Sequence, residues 1–62
     1  MKSNEPLSNQ MPVKSFEKIH QQAIEWETEY LIGAKVFTED QYDEAWDQAV
    51  ENVAEEMGIY LL

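Results

Sequence analysis

The chain has 62 residues, thirteen acidic side chains against four lysines, no arginine and no cysteine, for a formal net charge of −9. A chain of this length forms one domain at most and buries only about 60% of the surface its unfolded form exposes, so it needs tight helix packing or self-association. The missing cysteines exclude disulfides, thiolate metal sites and thiol chemistry, and the scarcity of positive charge argues against direct binding to nucleic acid or to an anionic membrane.

The charge is unevenly spread. Residues 1–35 carry five acids and four lysines, −1 in sum, whereas residues 36–62 carry eight acids and no base, −8. With 44% hydrophobic residues and seven aromatics over its full length, the chain is too apolar for a disordered acidic tail, and most of it is expected to fold.

Residues 1–13 mix Ser, Asn, Gln, Pro6 and Pro12 without periodicity and predict a flexible arm ahead of a folded domain over 14–62. The arm lacks the apolar core of a signal peptide, and no run is long enough to span a bilayer, so the expectation is a soluble, cytoplasmic protein. From Ser15 the pattern changes. Phe16, Ile19, Ala23, Ile24, Trp26, Tyr30 and Leu31 recur at near-helical spacing, with Ser15 as the expected N-cap and Gly33 as the expected left-handed terminator. This predicts a first helix over about 15–32.

Thr38 and Gln41 have the spacing of a capping box, and Phe37 and Tyr42 occupy the positions of a hydrophobic staple. From there Tyr42, Ala45, Trp46, Ala49, Val50, Val53, Ala54 and Met57 make a sustained apolar stripe that Gly58 is placed to end, predicting a second helix over about 39–57. Glu39 and Asp40 favour the positive end of its dipole, whereas Glu55 and Glu56 lie at the wrong end for helix stability. The short link GAKVF makes the two helices antiparallel neighbours, so the predicted fold is all-α, a two-helix hairpin. The tail GIYLL either closes the open end of the hairpin or docks into a second subunit.

Glu44, Asp47, Glu51 and Glu55 fall in one band of the second helix, opposite its apolar stripe, with like charges one turn apart and no lysine to offset them. Such a band is either a solvated face, a docking surface for a basic partner protein, or a mimic of nucleic acid that occupies a basic groove. His20 and Glu27 fall inside the apolar face of the first helix, about 10 Å apart along the axis and too far to pair. They are read as a seam between two contact surfaces. A catalytic role lacks a nucleophile or oxyanion donor around them, and a metal site built on His20 and Glu17 leaves most ligand positions unfilled. No cofactor is expected. Trp26, Tyr30, Tyr42 and Trp46 are expected on the inward faces. Two short helices can hardly cover four such rings, so either the rings pack within the monomer core or part of this surface forms a homodimer of four helices or receives a partner protein.

Over essentially its full length, from SFEKIHQQAIEWETEYLIGAKVF through TEDQYDEAWDQAVENVAEEMGIYLL, the chain resembles the small acidic helical proteins of lambda-like temperate phages, encoded between the recombination and excision genes. That resemblance implies a non-enzymatic early protein that adjusts host physiology and influences the choice between lysis and lysogeny. From the residues themselves, the leading expectation is a protein-interaction module. Its partner-binding candidates are Glu44, Asp47, Glu51, Glu55, Trp26, Tyr30, Trp46, His20 and Glu27, and the alternative is an acidic nucleic-acid mimic that blocks a host DNA-binding protein.

Overall fold

The stripe of small and β-branched residues in the acidic half organises the molecule. In the computed structural model, which describes residues 10–62, Tyr42–Met57 form the longest helix, and its inner face buries Ala45, Ala49, Val50, Val53 and Ala54. The described residues comprise strand β1 (Gln10–Met11), helices α1 (Val13–Ile19), α2 (Gln21–Gly33) and α3 (Tyr42–Met57), and strand β2 (Tyr60–Leu61), with a 3-10 turn at Glu39–Gln41 leading into α3. The expected pair of helices is therefore three helices and a short strand pair.

The predicted first helix breaks at His20, whose backbone (φ −111°, ψ 27°) departs from helical geometry. His20 still donates its amide to Phe16 and its carbonyl accepts from Ile24, so the chain bends without leaving those groups unpaired. The bend lets the short α1 send Phe16 into the same core as Ile24 and Leu31 of α2. Ser15, the expected cap, lies inside α1; the helix instead starts after Pro12, whose ring presets the entry angle and whose missing N–H would have had no partner there.

The core is small. Phe16 and Ile24 are fully buried with Ala45 and Ala49, and Met11, Phe37, Trp46, Ile59 and Leu61 pack around the edge of the cluster. Thr28 is the one buried polar side chain among the described residues, and its hydroxyl donates to the Ile24 carbonyl at 2.7 Å, so no hydrogen-bonding group is stranded. The alanines of α3 let α2 approach closely, and α2 against α3 is the main interface of the fold.

Both long helices end in the same way. At the end of α2, Val36 donates to Leu31 and Lys35 to Ile32, with Lys35 in the left-handed region at φ 67°. At the end of α3, Ile59 donates to Ala54 and Gly58 to Glu55, with Gly58 at φ 72°. Each is a Schellman ending, in which a left-handed residue directs the next apolar residue back toward the helix. The expected terminator Gly33 is instead the last helical residue of α2, and a lysine bears the left-handed turn. The start of α3 agrees with expectation: Thr38 accepts from the Gln41 backbone while its own amide donates to the Gln41 side chain at 3.0 Å.

The GIYLL tail packs in cis. After Gly58, Ile59 enters the edge of the core and Tyr60–Leu61 pair in parallel with Gln10–Met11, in register Gln10 to Tyr60 and Met11 to Leu61. Leu62 donates to the Met11 carbonyl at 3.0 Å. Of the arm expected over residues 1–13, residues 1–9 lie outside the described residues, while Gln10 and Met11 belong to this strand pair and Val13 opens α1.

The left-handed positions 35 and 58 favour glycine, whereas the helical position 33 does not. A left-handed backbone costs an L-residue about 1–2 kcal/mol, part of which glycine gives back as unfolded-state entropy, so Lys35→Gly should stabilise by about 0.5–1 kcal/mol. Gly33→Ala, at a helical position with nothing within 4 Å of the added methyl, should also stabilise by about 0.5–1 kcal/mol through helix propensity. Gly58→Ala should destabilise. Thermal melts followed by circular dichroism read all three, and a loss of stability in Gly33→Ala would contradict this account of the α2 terminus.

Candidate functional site

Three features of the surface could do chemistry or recognition: the acidic outer face of α3, the two carboxylates held between helices, and the aromatic side chains that the core does not cover. On α3, Glu44, Asp47, Glu51 and Glu55 are all exposed, as their spacing of three or four residues opposite the buried stripe requires. Glu44, at the start of the band, accepts from the Gln41 side chain at 3.5 Å. Asp47, Glu51 and Glu55 border an open groove of about 840 Å³ that runs between α3 and the C-terminal segment, with Val13 and Glu17 of α1 also lining it.

Glu17 and Glu27 each accept a hydrogen bond from α3. Glu17 accepts the Trp46 indole N–H at 3.0 Å, tying α1 to α3. Glu27 accepts from the Asn52 side-chain amide at 3.0 Å, and the carbonyl of that amide accepts from Gln48 at 3.0 Å, so a short polar chain ties α2 to α3. In each case α3 supplies a neutral donor to a carboxylate of the first half of the chain. A charged acceptor makes such bonds stronger than neutral ones, and they fix the rotation of the helices about one another. His20 is half-buried at the α1–α2 bend, with its ring 4.6 Å from that of Phe16. Among the described residues no three His, Asp or Glu side chains converge as metal ligands.

The aromatic residues divide. Trp46 is half-buried at the core edge, and Tyr42 beside it is 41% exposed, with ring centroids 6.3 Å apart. Trp26 and Tyr30, expected on the inward face, are instead 63% and 66% exposed. The reason is phase. Ile24, Thr28 and Leu31 take the inward face of α2, and at 100° per residue Trp26 and Tyr30 stand about 200° and 240° around from Ile24. The helix thus has two apolar faces, and α3 covers only one. The two rings lie one turn apart and make a ridge, flanked on α2 by Glu25 and Glu29. Ile19, just before the bend, is 64% exposed as well.

Sequence reasoning missed the groove wall. Periodicity marks Val50 and Ala54 only as core, and Ile59 and Leu61 only as a hydrophobic tail, whereas all four line the groove beside the acids. The signal that could have found them is the glycine at 58, because a Schellman turn reverses the chain and returns the residues after it to the side of the helix. No helix among the described residues is long and apolar enough to cross a membrane.

Compared with protein-family models, with curated proteins and with solved structures, the chain matches none, so what these surfaces do has to be read from their own geometry and charge.

The indole bond to Glu17 predicts a measurable coupling. Trp46→Phe keeps most of the packing and deletes the donor, leaving a half-buried carboxylate without it, which should cost about 1 kcal/mol once partial exposure is allowed for. In a double-mutant cycle with Glu17→Ala, urea denaturation should give a coupling of similar size between the two sites. Strict additivity would show that the bond contributes nothing to holding α1.

Proposed function

We propose that this chain is a non-enzymatic protein-binding module that grips a partner through the Trp26–Tyr30 ridge. The observation that carries the reading is that two large aromatic side chains, one turn apart on α2, stand about two-thirds exposed on the face turned away from the core. Tryptophan and tyrosine give much contact area for little rotamer entropy, and they dominate binding energy wherever a partner excludes water from them. About a third of each residue is covered by the chain, and an exposed apolar pair of this size marks an interaction surface.

Charge selects the occupant. A second copy would bring another −9 to the contact, whereas a partner with an apolar socket fringed by lysine or arginine would meet the ridge and its flanking Glu25 and Glu29 favourably. The two rings alone are also too small for a stable dimer, which needs roughly 800 Å² from each side. The acidic outer face of α3, with Glu44, Asp47, Glu51 and Glu55, then serves to steer a basic partner and raise its association rate. The likeness to small acidic phage early proteins supports a host or phage regulator as the partner, and the lysis–lysogeny choice as the process affected.

A second reading is favoured by the four exposed carboxylates on α3, whose spacing of about one helical turn is comparable to that of neighbouring backbone phosphates. In that reading α3 is a nucleic-acid mimic, DNA competes for the partner, and neutralising the four acids abolishes binding.

The ridge reading predicts a separation of stability from binding. Trp26→Ala/Tyr30→Ala should keep the urea-unfolding free energy within about 0.5 kcal/mol of the parent, as for exposed positions, while losing at least 2 kcal/mol of partner affinity. Glu51→Gln/Glu55→Gln should chiefly slow association at low salt. Loss of folding stability above 2 kcal/mol in the aromatic double variant would show that the ridge belongs to the fold and would remove the basis of this reading.

A further inference from the structure

We infer that the groove between α3 and the C-terminal segment is a second docking site, and that its occupant is a cationic amphipathic segment of another protein. Neither Trp26 nor Tyr30 lines this groove, so the site is independent of the ridge. Its walls combine two chemistries. Carboxylates of Glu17, Asp47, Glu51 and Glu55 border it, and no lysine among the described residues lines it. Val13, Ile59, Tyr60, Leu61 and Leu62 supply the accessible apolar part of the lining, over a floor formed by the buried Val50 and Ala54. At about 840 Å³ the space accommodates several side chains of a bound segment rather than a single ion.

Each alternative occupant fails on one wall or the other. A bare polycation satisfies the carboxylates and leaves the apolar residues facing water. A fatty acid or anionic lipid satisfies the apolar residues and brings negative charge against four carboxylates. A second copy of this chain offers mostly like charge, with a net −9 of its own. A segment with apolar side chains on one face and lysine or arginine along its margins fits both, in the manner of an amphipathic helix laid in a groove.

The fold explains why such a groove is available. Gly58 turns the chain back at the end of α3, the β1–β2 pairing holds the returning segment in place, and the Glu17–Trp46 bond holds α1 at its end. The recognition surface is thus built from all three parts of the chain and does not exist in α3 alone.

The test uses the full chain, labelled with ¹⁵N, and two synthetic peptides of equal length and charge. One is a leucine–lysine amphipathic helix, and in the other every leucine is replaced by serine. The expected result is saturable binding of the leucine peptide, with amide shift changes centred on Val13, Ile59, Tyr60 and Leu61, at least tenfold tighter than the serine peptide. Asp47→Asn/Glu51→Gln/Glu55→Gln should weaken it by about tenfold or more while keeping a dispersed spectrum, because removing like charges from one helix face relieves repulsion. Trp26→Ala/Tyr30→Ala should bind it unchanged. Equal binding of the two peptides, or no saturable binding of the leucine peptide, would overturn the inference. Shift changes centred on Trp26 and Tyr30 would overturn it too, while leaving the ridge reading intact.

Discussion

The fold rests on one narrow stripe. The inner face of α3 offers alanine at 45, 49 and 54 and valine at 50 and 53, a surface small enough for α2 to approach closely but with little area of its own to bury. Everything else in the described chain is arranged to cover that stripe: Ile24, Thr28 and Leu31 from α2, Phe16 from α1, and Met11, Ile59 and Leu61 from the strand pair and its turn. A domain of this size has a total stability of only a few kcal/mol, on the order of 0.05–0.15 kcal/mol per residue. Phe16 is therefore close to indispensable, since emptying a fully buried phenylalanine site typically costs about 3–5 kcal/mol.

The same narrowness decides what is left outside. Once the stripe is covered, the second apolar face of α2 has no counterpart in the chain, and Trp26 and Tyr30 remain in solvent. The acids follow a parallel logic. Those on the outer face of α3 have no helix to touch, while Glu17 and Glu27, which do face α3, meet an indole N–H and a carboxamide rather than a cation. The negative field of the second half is thus left unneutralised by the fold, and it lies on the opposite side of α3 from its buried stripe. The exposed aromatic pair and the exposed acids lie on different helices, which is why they can be separated by substitution.

Much of this was legible in the sequence where several local signals agreed. Thr38 and Gln41 fixed the entry to α3, the i, i+3, i+4 recurrence from Ala45 to Ala54 fixed its buried face, and Gly58 fixed its end. The acidic band followed from the same periodicity. The break at His20 was not legible, because no proline or glycine marks it and its cause is tertiary: Phe16 has to reach a core that a straight helix would carry it past. Two-residue strands have no alternation to read, so the pairing of Gln10–Met11 with Tyr60–Leu61 left no pattern. Trp26 and Tyr30 were assigned inward because apolar residues on both faces of α2 merge into one apparent stripe when spacing is judged loosely. Lys35 replaced Gly33 as the left-handed residue because the turn is set by the Leu31 and Ile32 carbonyls it caps, and glycine two positions earlier fits within the helix.

The central claim is that the Trp26 face of α2 is surplus to the fold and open to solvent. Acrylamide quenching of Trp46→Phe protein, in which Trp26 is the sole tryptophan, tests it most directly when run from low to high protein concentration. The account predicts the red-shifted emission of an indole in water and quenching close to that of a free tryptophan derivative, unchanged with concentration. Blue-shifted, protected emission would contradict it: at all concentrations it would mean that the chain itself covers the ridge, and only at high concentration that a second copy does.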